Sequence, residues 1–352
     1  MIPSACCAEF LPVEVLARPP AGGNNERFGK NTDYYEGSGR VEIRNLGKSG
    51  LRVSLVGLGT NNFGGRIDFE ASKAVVHKAL DLGITLLDTA DTYGNRGGSE
   101  EALGRILGDR RKDIVLASKF GYPMNDSETL SGASRRYIMS AVETSLRRLK
   151  TDYLDLYQLH RPDPLTPIEE TIRALDDLIR QGKARYVGCS NLPAWQVVDA
   201  LGTARQLGLN AFISCQDEYS LVVRTPEKEL IPAMQRHGLG LLPFFPLASG
   251  LLTGKYRRNA KLPQGTRLTK EQRLADRFMT EANWIKAERL QDFAEQRGHT
   301  LLELAFSWLA ARPTVASVIA GATKPEQIEA NVRAVGWKLT AEEIAEVDRL
   351  AA

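Results

Sequence analysis

Short apolar runs and amphipathic stretches alternate along most of this chain. The runs fall at residues 55–59, 85–88, 114–118, 154–159, 186–189, 213–216, 240–244 and 317–320. Each is mostly apolar throughout, which is how a strand covered on both faces reads. The stretches between them carry apolar residues at helical spacing. Residues 71–82 place Val75, Val76, Ala79 and Leu80 on one stripe. Residues 134–149 do so with Ile138, Val142, Leu146 and Leu149, and residues 167–181 with Ile168, Ile172, Leu175, Leu178 and Ile179. Pro167 in front and Gly182 behind mark the ends of the last of these. Residues 193–207, 227–237 and 300–311 predict further helices. Ahead of the alternation, 41–44 and 52–54 flank Leu46-Gly47-Lys48-Ser49-Gly50 and predict a hairpin.

Strands that alternate with helices predict a parallel sheet. Eight such units fit a closed (β/α)8 barrel better than an open sheet, with residues 41–352 as a single domain. One stretch breaks the rhythm. Residues 255–284 show neither pattern clearly, and interruptions of that length are functional or disordered. Both a lid and a plain insertion are consistent with it.

Composition changes this picture little. The chain has 352 residues, 43% hydrophobic and 25% charged, values near the globular average that allow a large core. A net charge of +3 is too small for a nucleic-acid footprint. No apolar stretch is long enough to span a membrane. Cys189 and Cys215 fall in separate predicted strands and read as small buried apolar side chains. Cys6 and Cys7 lack metal-site spacing. A reduced, cytoplasmic compartment is the simplest expectation. The first forty residues have no basic segment ahead of the weak apolar run 10–17, and then pass into Pro19-Pro20-Ala21-Gly22-Gly23-Asn24-Asn25. They are expected to form a disordered N-terminal extension, not a signal peptide.

The chemistry gathers at strand ends. Asp88, Lys119 and His160 each close or follow an apolar run, and Tyr93 lies five residues past Asp88 in a glycine-containing turn. Charge at the end of a buried strand is costly unless it is paired or used. In parallel α/β folds the C-terminal strand ends are where sites are built. Four such groups in one place supply a proton donor, a charge beside it and a hydrogen-bond donor. Tyr93 is the candidate proton donor, with Lys119 expected to lower its pKa. Asp88 is expected to pair with Lys119, and His160 to donate a hydrogen bond to an oxygen that gains negative charge. His77, His237 and His299 lie on or beside helical segments, where solvated roles are expected. No two of the 4 histidines have metal-ligand spacing, so no metal is expected and a metal-dependent hydrolase has little support.

The motifs, in order, are Gly57-Leu58-Gly59-Thr60, Leu87-Asp88-Thr89-Ala90 with Tyr93-Gly94, Ser99-Glu100, Leu103-Gly104, Ala117-Ser118-Lys119, Leu159-His160, Gly188-Cys189-Ser190-Asn191, Gln216 with Tyr219, Gly250-Leu251-Leu252-Thr253-Gly254-Lys255, and Gly321 with Gln327 and Asn331. Together they resemble the aldo-keto reductase family over roughly residues 41–350. The resemblance implies an eight-stranded α/β barrel with a nicotinamide cofactor across its C-terminal mouth. It implies no glycine-rich dinucleotide turn, and none follows any predicted strand. It also implies the same roles for Tyr93, Lys119, Asp88 and His160.

The family pattern puts Ser190, Asn191 and Gln216 against the nicotinamide carboxamide and an aromatic ring on the nicotinamide face. That ring is Phe244 here, where many relatives carry Tyr. Ser249, Gly250 and Lys255 are expected at the pyrophosphate. Thr323 and Lys324 open a helix that suits an adenosine 2′-phosphate, favouring NADPH over NADH. Gln327 and Asn331 suit the adenine edge, and Thr60, Asn61, Phe245, Leu247 and Gly321 complete the implied cofactor set. Phe63, Tyr122, Arg161 and Trp195 are expected to line the substrate mouth. The leading expectation is reversible NADPH-dependent reduction of a small aldehyde or ketone, with no nucleic acid or membrane as partner and a homo-oligomer left open. The alternative is a cofactor-binding accessory or regulatory subunit of a membrane channel, with weak reductase activity.

Overall fold

The computed structural model describes residues 41–352, so the expectation for residues 1–40 lies outside the described residues. The chain opens with β1 (Ile43–Asn45) and β2 (Arg52–Ser54), paired antiparallel. Then come β3 (Val56–Gly59), α1 (Phe69–Asp81), β4 (Leu86–Asp88), α2 (Tyr93–Ile106), β5 (Val115–Phe120), α3 (Arg135–Leu149), β6 (Leu154–Leu159), α4 (Ile168–Arg180), β7 (Ala184–Ser190), α5 (Ala194–Leu207), β8 (Phe212–Gln216), α6 (Leu230–His237) and β9 (Gly240–Leu241). The remainder holds α7 (Arg267–Lys270), α8 (Gln272–Phe278), α9 (Glu281–Glu295), α10 (Leu301–Ala310), β10 (Val318–Gly321), α11 (Pro325–Arg333) and α12 (Ala341–Leu350).

Eight strands form one parallel sheet in the order β10-β3-β4-β5-β6-β7-β8-β9. The two edges meet. Leu241 N donates to Thr314 O at 2.7 Å, Ala316 N to Leu241 O at 2.9 Å, and Ile319 N to Pro243 O at 3.1 Å. The result is the expected (β/α)8 barrel, whose closure leaves no long exposed sheet edge.

The period of two along each strand sorts the interior by height. Leu86, Val115, Ala117 and Leu156 form one apolar cluster with Leu242, Ala316 and Ile319, and Leu46 and Val53 of the hairpin segment close it. The hairpin therefore plugs the N-terminal end of the barrel. Gly47 sits at φ 61°, and a Cβ there would lie 2.5 Å from Gly238 O, so only glycine fits. The alternate residues Leu87, Leu116, Phe120, Tyr157, Cys189 and Cys215 belong to the larger core with the helices. One step up the inward face, the side chains become Asp88, Lys119, Gln158 and Gln216, all buried.

Five helices went unpredicted: α2, α9 and α12, and the short α7 and α8 inside the 255–284 stretch. α2 begins in a glycine-rich turn that hides its periodicity. α9 starts within the unpatterned 255–284 stretch, and its inward stripe is only Ala287, Leu290, Phe293 and Ala294. α12 buries only Val347 of its helical residues, which leaves little stripe to see. The 255–284 stretch is not a bare loop. It contains α7 and α8, buries Leu268, Ala275 and Phe278, and is tied at two places, Glu271 to Arg66 and Arg277 to Glu218. Arg66 follows β3 and Glu218 follows β8, so the segment straps the mouth from one side to the other.

Candidate active site

Lys119 is the hub. Its side chain is fully buried, and its Nζ donates to Asp88 Oδ2 at 2.6 Å, to Thr89 O at 2.9 Å and to Tyr93 Oη at 3.3 Å. An ammonium satisfied by three acceptors can remain charged inside a protein. The other oxygen of Asp88 accepts from Gln216 Nε2 at 2.9 Å and Gln158 Nε2 at 3.3 Å. Breaking such a buried pair by removing one partner costs about 3–5 kcal/mol. His160 lies edge-on to both Tyr93, at 5.7 Å between ring centroids, and Tyr122, at 4.6 Å. The four residues of the expected constellation therefore meet at the C-terminal ends of β4, β5 and β6.

The electrostatics differ from expectation in one respect. Burial raises the Tyr93 pKa above its ordinary 10, and the Lys119 charge opposes that rise without cancelling it. Lys119 acts in the expected direction, but desolvation outweighs it and the net shift of this phenol is upward. For Lys119 itself burial pulls downward, but Asp88 and Tyr93 together outweigh it and the net direction is up. His160 is pushed well below 6.5 by burial, with the charges of Lys119 and Arg161 adding to it. At neutral pH the site therefore presents a protonated phenol, an ammonium and a neutral imidazole.

The residues assigned to a nicotinamide cofactor sit along one arc of the mouth. Ser190 Oγ donates to Gln216 O at 2.7 Å, and Asn191 Nδ2 donates to Ser190 Oγ at 2.9 Å and His160 O at 3.0 Å. Asn191 takes a left-handed φ of 60° to do so. Phe244 is half-buried outside the apolar core and meets the Phe245 ring edge to face at 5.4 Å, whereas Phe245 and Leu247 pack against that core. Beyond them Ala248, Ser249 and Gly250 run through left-handed φ values of 45°, 58° and 102°. Ser249 Oγ is buried without a partner among the described residues, and a Cβ at Gly250 would lie 3.1 Å from Lys255 Nζ. An unpartnered hydroxyl beside an ammonium, on backbone that only glycine tolerates easily, fits a phosphate group.

Gly321, Asn61 and Asn62 close together: a Cβ at Gly321 would lie 3.2 Å from both asparagine side chains. Lys324 is the exposed N-cap of α11, and Gln327 Oε1 accepts from Thr323 N at 2.7 Å. Asn331 is buried one helical turn further on. These groups fit the adenosine end of such a cofactor, though the oxygen of Gln327 is already engaged.

Two expectations need adjustment. Phe63 does not line the mouth. It is fully buried in the main core, because the turn Phe63 N to Thr60 O at 3.0 Å folds its ring inward. Thr60 is also fully buried, with its hydroxyl on Asp88 O at 3.0 Å, so its side chain braces the site. Gln216 gives one amide hydrogen to Asp88 at 2.9 Å, which leaves its second N–H and its carbonyl oxygen for a carboxamide. Tyr122 and Arg161 do stand at the mouth beside His160, the guanidinium 4.7 Å above the Tyr122 ring, and Trp195 is 65% exposed at the start of α5.

Sequence reasoning missed Gln158, although it lies two residues before His160 and the period of two points it inward. It also missed Arg267. That guanidinium lies 4.9 Å over the Phe245 ring, its Nε pairs with Glu271 at 3.9 Å without a hydrogen bond, and burial, then Arg66, lower it to about 10. Nothing in its local sequence distinguishes it from the other basic residues of the strap. Among the described residues, no group of three or more His, Cys, Asp or Glu side chains is arranged to hold a metal ion, and no helix is long and apolar enough to cross a membrane.

Comparison with known proteins agrees with this geometry. Residues 55–352 match the family model described as "Aldo/keto reductase family". The chain is 41% identical over 305 residues to a protein of Arabidopsis thaliana named "Probable voltage-gated potassium channel subunit beta", covering 84% of this chain and 91% of that one. It is 37% identical over 323 residues to the "L-glyceraldehyde 3-phosphate reductase" of Escherichia coli (strain K12), covering 88% and 92%. The chain belongs to the aldo/keto reductase family, and is an NAD(P)H-dependent oxidoreductase acting on carbonyl compounds and alcohols.

Proposed function

We propose that this mouth reduces a small aldehyde or ketone with NADPH, with Tyr93 as the proton donor. The observation that carries the reading is the run of contacts from Asp88 through Lys119 to Tyr93, at 2.6 Å and 3.3 Å. The bound cofactor supplies the hydride. Tyr93, kept protonated by its burial, donates to the carbonyl oxygen and gives up its proton as that oxygen turns into an alkoxide. The phenolate left behind faces the Lys119 ammonium, so the site stabilises it only after the proton has moved. The neutral imidazole of His160 offers a second hydrogen bond to the same oxygen. The reverse sequence oxidises an alcohol.

Lys324 and Thr323 at the start of α11 support NADPH over NADH. Arg161 makes no ion pair among the described residues and stands beside His160, which suits a substrate carrying an anionic group. The E. coli relative's name makes glyceraldehyde 3-phosphate a rational member of the test panel. Cys189 and Cys215, unbonded with sulfurs 3.6 Å apart, accord with a cytoplasmic location. The relatives named as channel subunits favour a second reading, in which the chain binds cofactor as an accessory subunit.

Rates with NADPH and NADH, measured side by side over a panel of neutral and phosphorylated aldehydes, test these statements. The expectation is turnover with NADPH exceeding that with NADH. Equal or higher rates with NADH overturn the cofactor assignment. No turnover anywhere in the panel, with tight cofactor binding retained, favours the accessory reading.

A further inference from the structure

Behind the barrel wall, on the far side of β5 from the substrate, lies a polar cluster that the proposed chemistry does not use. Glu100 of α2 is fully buried. Its Oε2 pairs with Arg148 of α3 at 3.3 Å, and its Oε1 accepts from Ser118 Oγ at 2.6 Å. Ser118 is the residue before Lys119 and points away from the barrel interior. This carboxylate, carried by the helix whose first residue is Tyr93, is therefore bonded to the strand that carries Lys119 and to α3.

The turn that follows Tyr93 is strained. Gly94, Asn95, Arg96 and Gly97 take φ values of 66°, 58°, 68° and 128° in succession. Two of these are not glycine, and such residues persist in left-handed backbone only where their surroundings hold them. Phe63 and Ser99 pack against Gly94, Asp126 pairs with Arg96, and Arg148 supplies the hold at Gly97. A Cβ at Gly97 would lie 2.5 Å from its Cζ and Nε, so the guanidinium is seated directly against the turn. A Cβ at Gly104 would lie 2.1 Å from Arg148 O. One arginine is thus gripped at both ends by glycines of α2, and Glu100 lies between them.

From this arrangement we infer that Arg148 and Glu100 are positioning residues for the reduction. They fix the distance between Tyr93 and Lys119 without touching substrate or cofactor. The inference rests on the proposed role of Tyr93. Glu100 has Arg148 as its only cationic partner among the described residues. Loss of Arg148 leaves a buried carboxylate uncompensated and the turn without its hold at Gly97, and these two effects separate experimentally.

The test measures kcat, KM, NADPH affinity and thermal unfolding, with 4-nitrobenzaldehyde and NADPH as probes. The variants are Arg148→Met, Glu100→Gln, the double variant Arg148→Met/Glu100→Gln, and Tyr93→Phe. Arg148→Met is expected to lower kcat by up to about 100-fold through misplacement of the phenol, with NADPH affinity unchanged. The double variant removes the Glu100 charge and recovers thermal stability, but kcat stays low because the guanidinium no longer backs Gly97. Glu100→Gln keeps the acceptor for Ser118 and shows a smaller loss in kcat, and it carries the test should Arg148→Met not fold. Recovery of kcat together with stability in the double variant overturns the inference and makes the pair structural only. So does wild-type kcat in both single variants while Tyr93→Phe is inactive. Wild-type turnover by Tyr93→Phe overturns the proton-donor reading itself, and the inference with it.

Discussion

Lys119 acts on Tyr93 from 3.3 Å, yet burial still wins and the phenol keeps its proton beyond pH 10. For a reductase this ordering is useful, since the acid form is the working form. His160 is displaced the other way, and stays neutral well below 6.5. Lowering the pH through the ordinary histidine range therefore does not charge it. We predict that kcat/KM for aldehyde reduction has no inflection near 6.5 from His160 and none below about 10 from Tyr93. An inflection near 6.5 that disappears in His160→Ala would contradict this assignment. The identities of these residues were readable from their places after apolar runs. The direction of the Tyr93 shift was not, because neighbouring charge is visible in a sequence while desolvation is a property of packing. The Glu100–Arg148 pair was equally hidden: its partners are 48 residues apart and belong to two helices that meet only in the fold.

At the scale of elements, the strand-helix alternation needed no tertiary information, since each strand is apolar on both faces and each major helix is striped. What failed were segments with weak stripes or clustered glycines, α2, α9 and α12. The hairpin was legible as local structure, but its place was not. Its Leu46 is fully buried against Leu86, Val115 and Leu242 at the base of the barrel. Leu46→Ala is expected to destabilise the protein by about 2–5 kcal/mol in denaturant unfolding. Because the plug lies at the opposite end from the site, kcat at a temperature where the variant remains folded should match wild type. A large fall in kcat without loss of stability would show that the plug communicates with the mouth. The strap containing α7 and α8 illustrates the limit of sequence reading. Its role depends on Glu271 reaching Arg66 and Arg277 reaching Glu218, contacts that no local pattern encodes.

Across the whole described barrel, function follows from height along the strands. The lower inward layer is Leu86, Ala117 and Leu156, and the next is Asp88, Lys119 and Gln158, so one period of two converts a core into a site. The helix layer contributes support, through Glu100 and Arg148, and the loops contribute the groups that fit a dinucleotide. The most direct test of this account compares oxidation of NADPH by 4-nitrobenzaldehyde in the wild-type protein and in Tyr93→Phe, with cofactor affinity measured alongside. The predicted result is a fall in turnover of about 10²–10⁴-fold with affinity for NADPH retained. Undiminished turnover by the phenylalanine variant would contradict it.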